Sequence, residues 1–165
     1  MNKPSMIDQR KYVWDYFTVH ASQRLTTFNF YLVISILLVT GICTTFKSDL
    51  YNPHIGFALA FTLSFLSFIF WKLDERNREV IGIAEQALML IEKDLGPDGQ
   101  NGEPHFLQIF NREKYQTDKL REIKNNRFWK NHLCYSDCFR FVFRTFGWGG
   151  VALSFLQVVM FIENT

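Results

Sequence analysis

The chain is poor in the residues that cross-linking and catalysis need. It has three cysteines in 165 residues, Cys43, Cys134 and Cys138. Cys134 and Cys138 have His132 and Asp137 beside them, but the paired CxxC or HxxxH spacing of a zinc site is missing. Thiols on the cytoplasmic side of a membrane stay reduced, so no disulfide is expected. The four histidines, His20, His54, His105 and His132, are scattered, and no Ser-His-Asp set or acidic metal motif accompanies them. Neither enzymatic activity nor a metal or cofactor is therefore expected. Glycine and proline concentrate in Gly96-Pro97-Asp98-Gly99-Gln100-Asn101-Gly102, which is turn chemistry. With no strand before it and no GK[ST] after it, it is not a phosphate-binding loop.

The most informative shortage is of charge. No Asp, Glu, Lys or Arg occurs in Leu25–Phe46, in Leu50–Trp71 or in Thr145–Ile162. A charge-free helix of about 20 residues crosses the hydrocarbon core of a bilayer. The first run holds FNFYLVISILLVTGI, rich in residues that each favour insertion by about 0.3–0.6 kcal/mol. A soluble core of this size could bury one such helix but hardly three, and the mean hydropathy of -0.04 conceals this segregation. About 24 largely polar residues precede the first run, so it is expected to stay in the protein as its own insertion signal.

The fold expected is therefore an all-α membrane protein with two strong transmembrane helices, a third near the C-terminus and a cytoplasmic helical section. The expected divisions are an amphipathic helix over 1–24, spans over 25–46 and 55–71, and an external loop over 47–54. Residues 72–95 continue the second helix, 96–140 form a loop and basic helix, and 141–162 are the third span. That third run either inserts or lies along the membrane. Gly147, Gly149, Gly150 and Gln157 weaken it, and Arg144 at its edge can snorkel to headgroups. Lys3, Arg10, Lys11 and Arg24 before the first span, and Lys72, Arg76 and Arg78 after the second, place both flanks in the cytoplasm of a bacterial inner membrane. Only Lys47 lies between those spans.

Tyr12, Val13, Tyr16 and Phe17 form one stripe, which suits either an in-plane helix or packing on the charged section. Val80, Ala84, Ala87, Ile91 and Leu95, widened by Ile83, Leu88 and Leu90, form another, able to pair with copies of itself or with the rest of the chain. Asp74-Glu75-Arg76-Asn77-Arg78-Glu79 alternates in sign, as a solvated face laced with ion pairs does. From Arg112 to Lys130, the cations Arg112, Lys114, Lys119, Arg121, Lys124, Arg127 and Lys130 outnumber Glu113, Asp118 and Glu122. Such a patch suits anionic lipid, or a nucleic-acid or ribonucleoprotein partner. Within the spans, Ser35, Thr40 and Thr44 in the first and Gly56, Ala60 and Ser64 in the second are candidates for helix packing. That packing is either within the chain or between copies, and between copies the hydroxyls would line a polar path.

Trp14-Asp15-Tyr16-Phe17, His20-Ala21, Gln23-Arg24 and Phe28-Asn29-Phe30-Tyr31 open the first span. Phe70-Trp71-Lys72-Leu73-Asp74-Glu75-Arg76-Asn77 and Glu85-Gln86-Ala87-Leu88 close the second. Over about residues 12–90 the chain resembles small two-span membrane proteins of bacterial anti-phage defence islands, notably the transmembrane effectors of retrons. Similar effectors accompany cyclic-nucleotide (CBASS-type) systems. The resemblance implies a membrane-permeabilising toxin held quiet by cytoplasmic partners, in a retron a reverse transcriptase with its RNA-linked DNA. It also fits a homo-oligomer. A cyclic-nucleotide sensor needs a pocket lined by fixed polar groups, and residues 96–140 offer little room for one, so a partner would sense. A membrane anchor that recruits a cytoplasmic partner, or a small channel subunit, are the other functions compatible with the residues.

Overall fold

The computed structural model describes residues 5–46, 52–95, 103–123 and 135–163. Among them every regular element is helical: α1 (Met6–Thr45), α2 (Pro53–Glu92) with a 3-10 turn at Lys93–Leu95, α3 (Ile109–Ile123) and α4 (Tyr135–Glu163). α1, α2 and α4 are each long and apolar enough to cross a membrane, as an all-α membrane protein requires. Of the expected divisions, 47–51 of the external loop and 96–102 and 124–134 of the charged section lie outside the described residues.

Local chemistry sets the helix starts. Ser5 Oγ accepts from the Asp8 N–H at 3.2 Å, and Asp8 Oδ2 accepts in return from the Ser5 N–H at 3.3 Å, a reciprocal cap. α2 opens on Pro53, whose missing N–H costs nothing in a first turn, and Asn52 Oδ1 accepts from the Ile55 N–H. α1 then runs unbroken through Arg24 into the apolar stretch, so residues 6–24 and the first span belong to one continuous helix. α4 starts at Tyr135, ahead of the boundary expected at 141.

The chain divides into two compact units, Met1–Ser22 with Asn77–Leu133, and Gln23–Arg76 with Cys134–Thr165. In the first unit, Trp14 and Phe17 set their rings against Phe110 at 6.3 and 5.5 Å. The α2 stripe is rotated from the expected one. Ile81, Ala84, Leu88 and Glu92 are buried, while Ile83 and Leu90 stand exposed. The reason is polar. Glu92 turns its carboxylate inward to accept from the Phe110 and Asn111 N–H groups at 3.0 and 3.2 Å, and the Asn111 side chain donates to the Met89 carbonyl. These bonds satisfy the first amides of α3, where a carboxylate also meets the positive end of the helix dipole. Glu92→Ala is expected to cost about 1 kcal/mol, the usual worth of a helix cap. Hydrogen exchange should show the Phe110 and Asn111 amides exchanging about five-fold faster; unchanged protection at both would contradict the capping role.

The second unit is a three-helix bundle built from the apolar parts of α1, α2 and α4. Arg24 meets Asp74 and Tyr31 meets Ser67, so α1 and α2 are antiparallel. Arg24–Ser136 and Thr45–Gln157 both join positions 112 apart, so α1 and α4 run parallel in constant register. A helix held to its neighbour at both ends in this way does not lie across it on a surface. Tyr31, Phe139 and Phe143 form one core cluster and Ile42, Ala60 and Leu63 another.

Candidate functional site: polar layers in the three-helix unit

The first polar layer is made by residues that the flanking-charge pattern treats as unrelated. Arg24 Nε donates to Asp74 Oδ1 at 2.7 Å, and Nη2 donates to Asp74 Oδ2 at 3.2 Å and to Ser136 Oγ at 3.1 Å. The guanidinium also stands 5.0 Å from the centroid of the Phe139 ring. One side chain of α1 thereby ties α2 and α4 together through a bidentate pair, a hydroxyl and an aromatic face. The two charged side chains are only 13% and 8% exposed. Asp74 is thus not part of a solvated ion-pair face, as its alternating neighbourhood suggests. Lys72 and Glu75, paired at 2.9 Å and exposed, do behave that way.

The second layer lies at the other end of the same helices. The Gln157 side-chain amide donates to Thr45 Oγ1 at 3.2 Å, and Thr45 donates to the Ile42 carbonyl at 2.7 Å. Because the Thr45 proton is already used, the amide must face Thr45 with its nitrogen. Gln157 is fully buried, and its Oε1 has no hydrogen-bond partner among the described residues. From Arg24 to Thr45 the helix rises about 31 Å, so the two polar layers bracket one hydrocarbon thickness of about 30 Å.

Between the layers the polar groups are satisfied within the unit. Tyr31 OH lies 2.9 Å from Ser67 Oγ. Ser67 donates to the Leu63 carbonyl, so the phenol is the donor between them. Ser64 donates to the Gly147 carbonyl across α2 and α4 at 3.1 Å.

The small residues Gly56, Ala60 and Ser64 are brought together, against α4. A Cβ on Gly150 would sit 2.9 Å from both the Ala60 carbonyl oxygen and the Ser64 nitrogen. One on Gly56 would collide with the Gln157 carboxamide. This is the within-chain use of the stripe. Ser35 is buried. Thr40 and Thr44 are exposed, and each donates to its own helix at Ile36 and Gly41. On α3, Arg112 is exposed, and Lys119 is exposed 3.9 Å from Glu103. Arg121 belongs to α3 by its backbone, while Lys124, Arg127 and Lys130 fall outside the described residues. The first unit also holds a cavity of about 440 Å³ lined in part by Arg10, Lys11, Trp14, Leu107 and Phe110. Its walls come from α1 and α2 as well as from 96–140, which is why the charged section alone did not suggest it.

The residues missed from sequence were Asp74, Ser136 and Glu92. A signal existed for the first: Arg24 borders one charge-free run and Asp74 lies three residues past the end of another, at the depth where opposite charges on antiparallel helices can meet.

These features define a small all-α membrane protein whose three apolar helices are held by buried polar contacts rather than by apolar packing alone. No family model and no solved structure matches the chain. It is 31% identical over 159 residues to CD-NTase-associated protein 19 of Escherichia coli, covering 94% of each chain. The chain belongs to the family of that protein.

Proposed function

We propose that the protein is the membrane effector of a bacterial anti-phage defence system, working beside a CD-NTase in a cyclic-nucleotide (CBASS-type) operon rather than in a retron. The observation that carries the defence role is the full-length match to a relative named for its association with a CD-NTase. The resemblance to retron effectors spans only about residues 12–90, so the longer match favours the other system. The protein works without enzymatic chemistry. It sits in the inner membrane with its N-terminus and Asn77–Leu133 in the cytoplasm, where Lys and Arg are concentrated. Cytoplasmic partners hold it inactive until infection, when it permeabilises the membrane.

Among the described residues, Ser64 and Ser67 inside the bundle and Thr40 and Thr44 on its surface all donate their hydroxyl protons within the chain, which leaves none of these four protons to line a polar route in one copy. Permeabilisation in this reading therefore requires copies to associate. The outer face of α2 supports that step: Phe57, Phe61 and Phe65 stack in an exposed ladder, at 6.2 and 6.5 Å between centroids.

Expression of the whole chain without its operon partners is expected to arrest growth and collapse the membrane potential within one generation, read with a potential-sensitive dye. Full polarisation despite confirmed membrane localisation would overturn the effector role. The second reading, an anchor that recruits a soluble partner, draws on the exposed Arg112, Lys114 and Lys119 of α3. It predicts co-purification of a cytoplasmic protein or ribonucleoprotein with the potential unchanged.

A further inference from the structure

Arg144 is the group that the two polar layers leave unexplained. Its helix enters the bundle at Ser136, level with Arg24 and Asp74. From Ser136 to Arg144 the backbone rises about 12 Å, so Arg144 starts from well inside the bracketed thickness. It is exposed, and no ion pair is formed by it among the described residues. A guanidinium at such depth without an anion is costly, and long basic side chains answer by reaching back toward the headgroups.

The side chain does not stand on a plain lipid-facing surface. It borders a cavity of about 330 Å³ between α2 and α4, walled by Phe68, Trp71, Phe143, Trp148 and Val151. Gly147 lies at the floor beside α2, where an added Cβ would stand at an ordinary contact distance of 3.5 Å from Ser67 Cβ. The hydroxyls at the back, Ser64 and Ser67, are already committed to the Gly147 and Leu63 carbonyls. What remains is an apolar slot with one uncommitted cation at its edge and two indole rings beside it. Arg140 lies one turn nearer the first polar layer on the same face of α4, as i and i+4 positions do. The two cations thus step from the slot toward the interface.

We propose that this slot holds one anionic phospholipid. Its phosphate pairs with the Arg144 guanidinium, and one acyl chain lies along Trp71, Phe68, Trp148 and Val151. The charge selects the occupant: a zwitterionic lipid fills the slot equally well but leaves Arg144 without a net counter-charge. Basic pockets between transmembrane helices hold acidic lipid headgroups for this reason. The inference depends on the three-helix unit being in a bilayer and is independent of the effector role.

The test uses the whole chain reconstituted in phosphatidylcholine vesicles, with brominated phosphatidylglycerol or brominated phosphatidylcholine added in steps. Bromine on an acyl chain in the slot quenches Trp71 and Trp148. Wild-type protein is expected to be quenched at about five-fold lower mole fraction by the glycerol lipid, the preference one basic residue supplies. Arg144→Lys should keep most of that preference and Arg144→Gln should abolish it. Gly147→Leu, which fills the slot and keeps the cation, should lose it too, with helical circular dichroism unchanged in all three. An equal preference in wild type and Arg144→Gln would overturn the proposal, because the lipid would then be held by general surface charge. So would an Arg144→Gln variant that loses self-association and keeps its lipid preference, since the anion would then be a carboxylate of a second copy.

Discussion

Asp74→Ala is expected to destabilise the protein by about 3–5 kcal/mol, the cost of leaving one partner of a buried pair without the other. The stranded group is the Arg24 guanidinium, 13% exposed and facing Ser136 and Phe139. A hydroxyl and a ring face cannot neutralise a full charge next to hydrocarbon. Arg24→Met should cost a similar amount by stranding Asp74. The double variant Arg24→Met, Asp74→Leu is expected to recover most of the loss, because apolar residues of similar volume often replace a buried pair at little cost. Denaturant unfolding of the four proteins in mild detergent gives the coupling energy directly. Two small, additive single effects would mean that solvent screens the pair and that it does not hold the bundle together. A measured coupling above about 2 kcal/mol would mark it as the main polar tie among these three helices.

Gly150→Ala is expected to cost about 1–3 kcal/mol, as overpacking of a close contact does. The added methyl would press on the Ala60 carbonyl oxygen and the Ser64 nitrogen at 2.9 Å, both of them backbone and unable to turn aside. α2 and α4 would have to separate, lengthening the Ser64–Gly147 hydrogen bond. Gly149→Ala supplies the contrast. Nothing lies within 4 Å of a Cβ at that position, so the substitution should be neutral or stabilise α4 by up to about 1 kcal/mol through helix propensity. Measured side by side by the same unfolding, the two adjacent glycines separate helix packing from helix propensity. Equal effects would remove the close approach of α2 and α4 as the reason for glycine at Gly150. Ala60→Leu, on the opposing wall, should be at least as damaging as Gly150→Ala. Any loss of toxicity on enlarging Ala60 or Ser64 would then report a broken subunit rather than a broken contact between copies.

The membrane character was open to reading along the chain because insertion is close to additive. Each Leu, Ile, Val or Phe contributes its own transfer energy, and a run such as Leu25–Phe46 sums to a span whatever the rest of the chain does. The third helix was legible on the same ground, although its glycines left a surface-bound helix possible. Function was partly legible, through residues at the ends of the first two spans. The site was less so. Asp74 reads as one more charge in an alternating series, and Gly56, Ala60 and Ser64 suit contacts within or between chains equally well.

What local sequence settled, then, was which segments are apolar helices, because that depends on residues within a few turns of each other. Tertiary structure decided which of their faces meet. The register that puts Arg24 beside Asp74 and Ser136, closes Gly150 on Ala60, and leaves Arg144 at the edge of a slot joins positions 50 and 112 residues apart. Pairing over such separations depends on shape and charge presented by three helices at once, and no periodicity along a single helix encodes it.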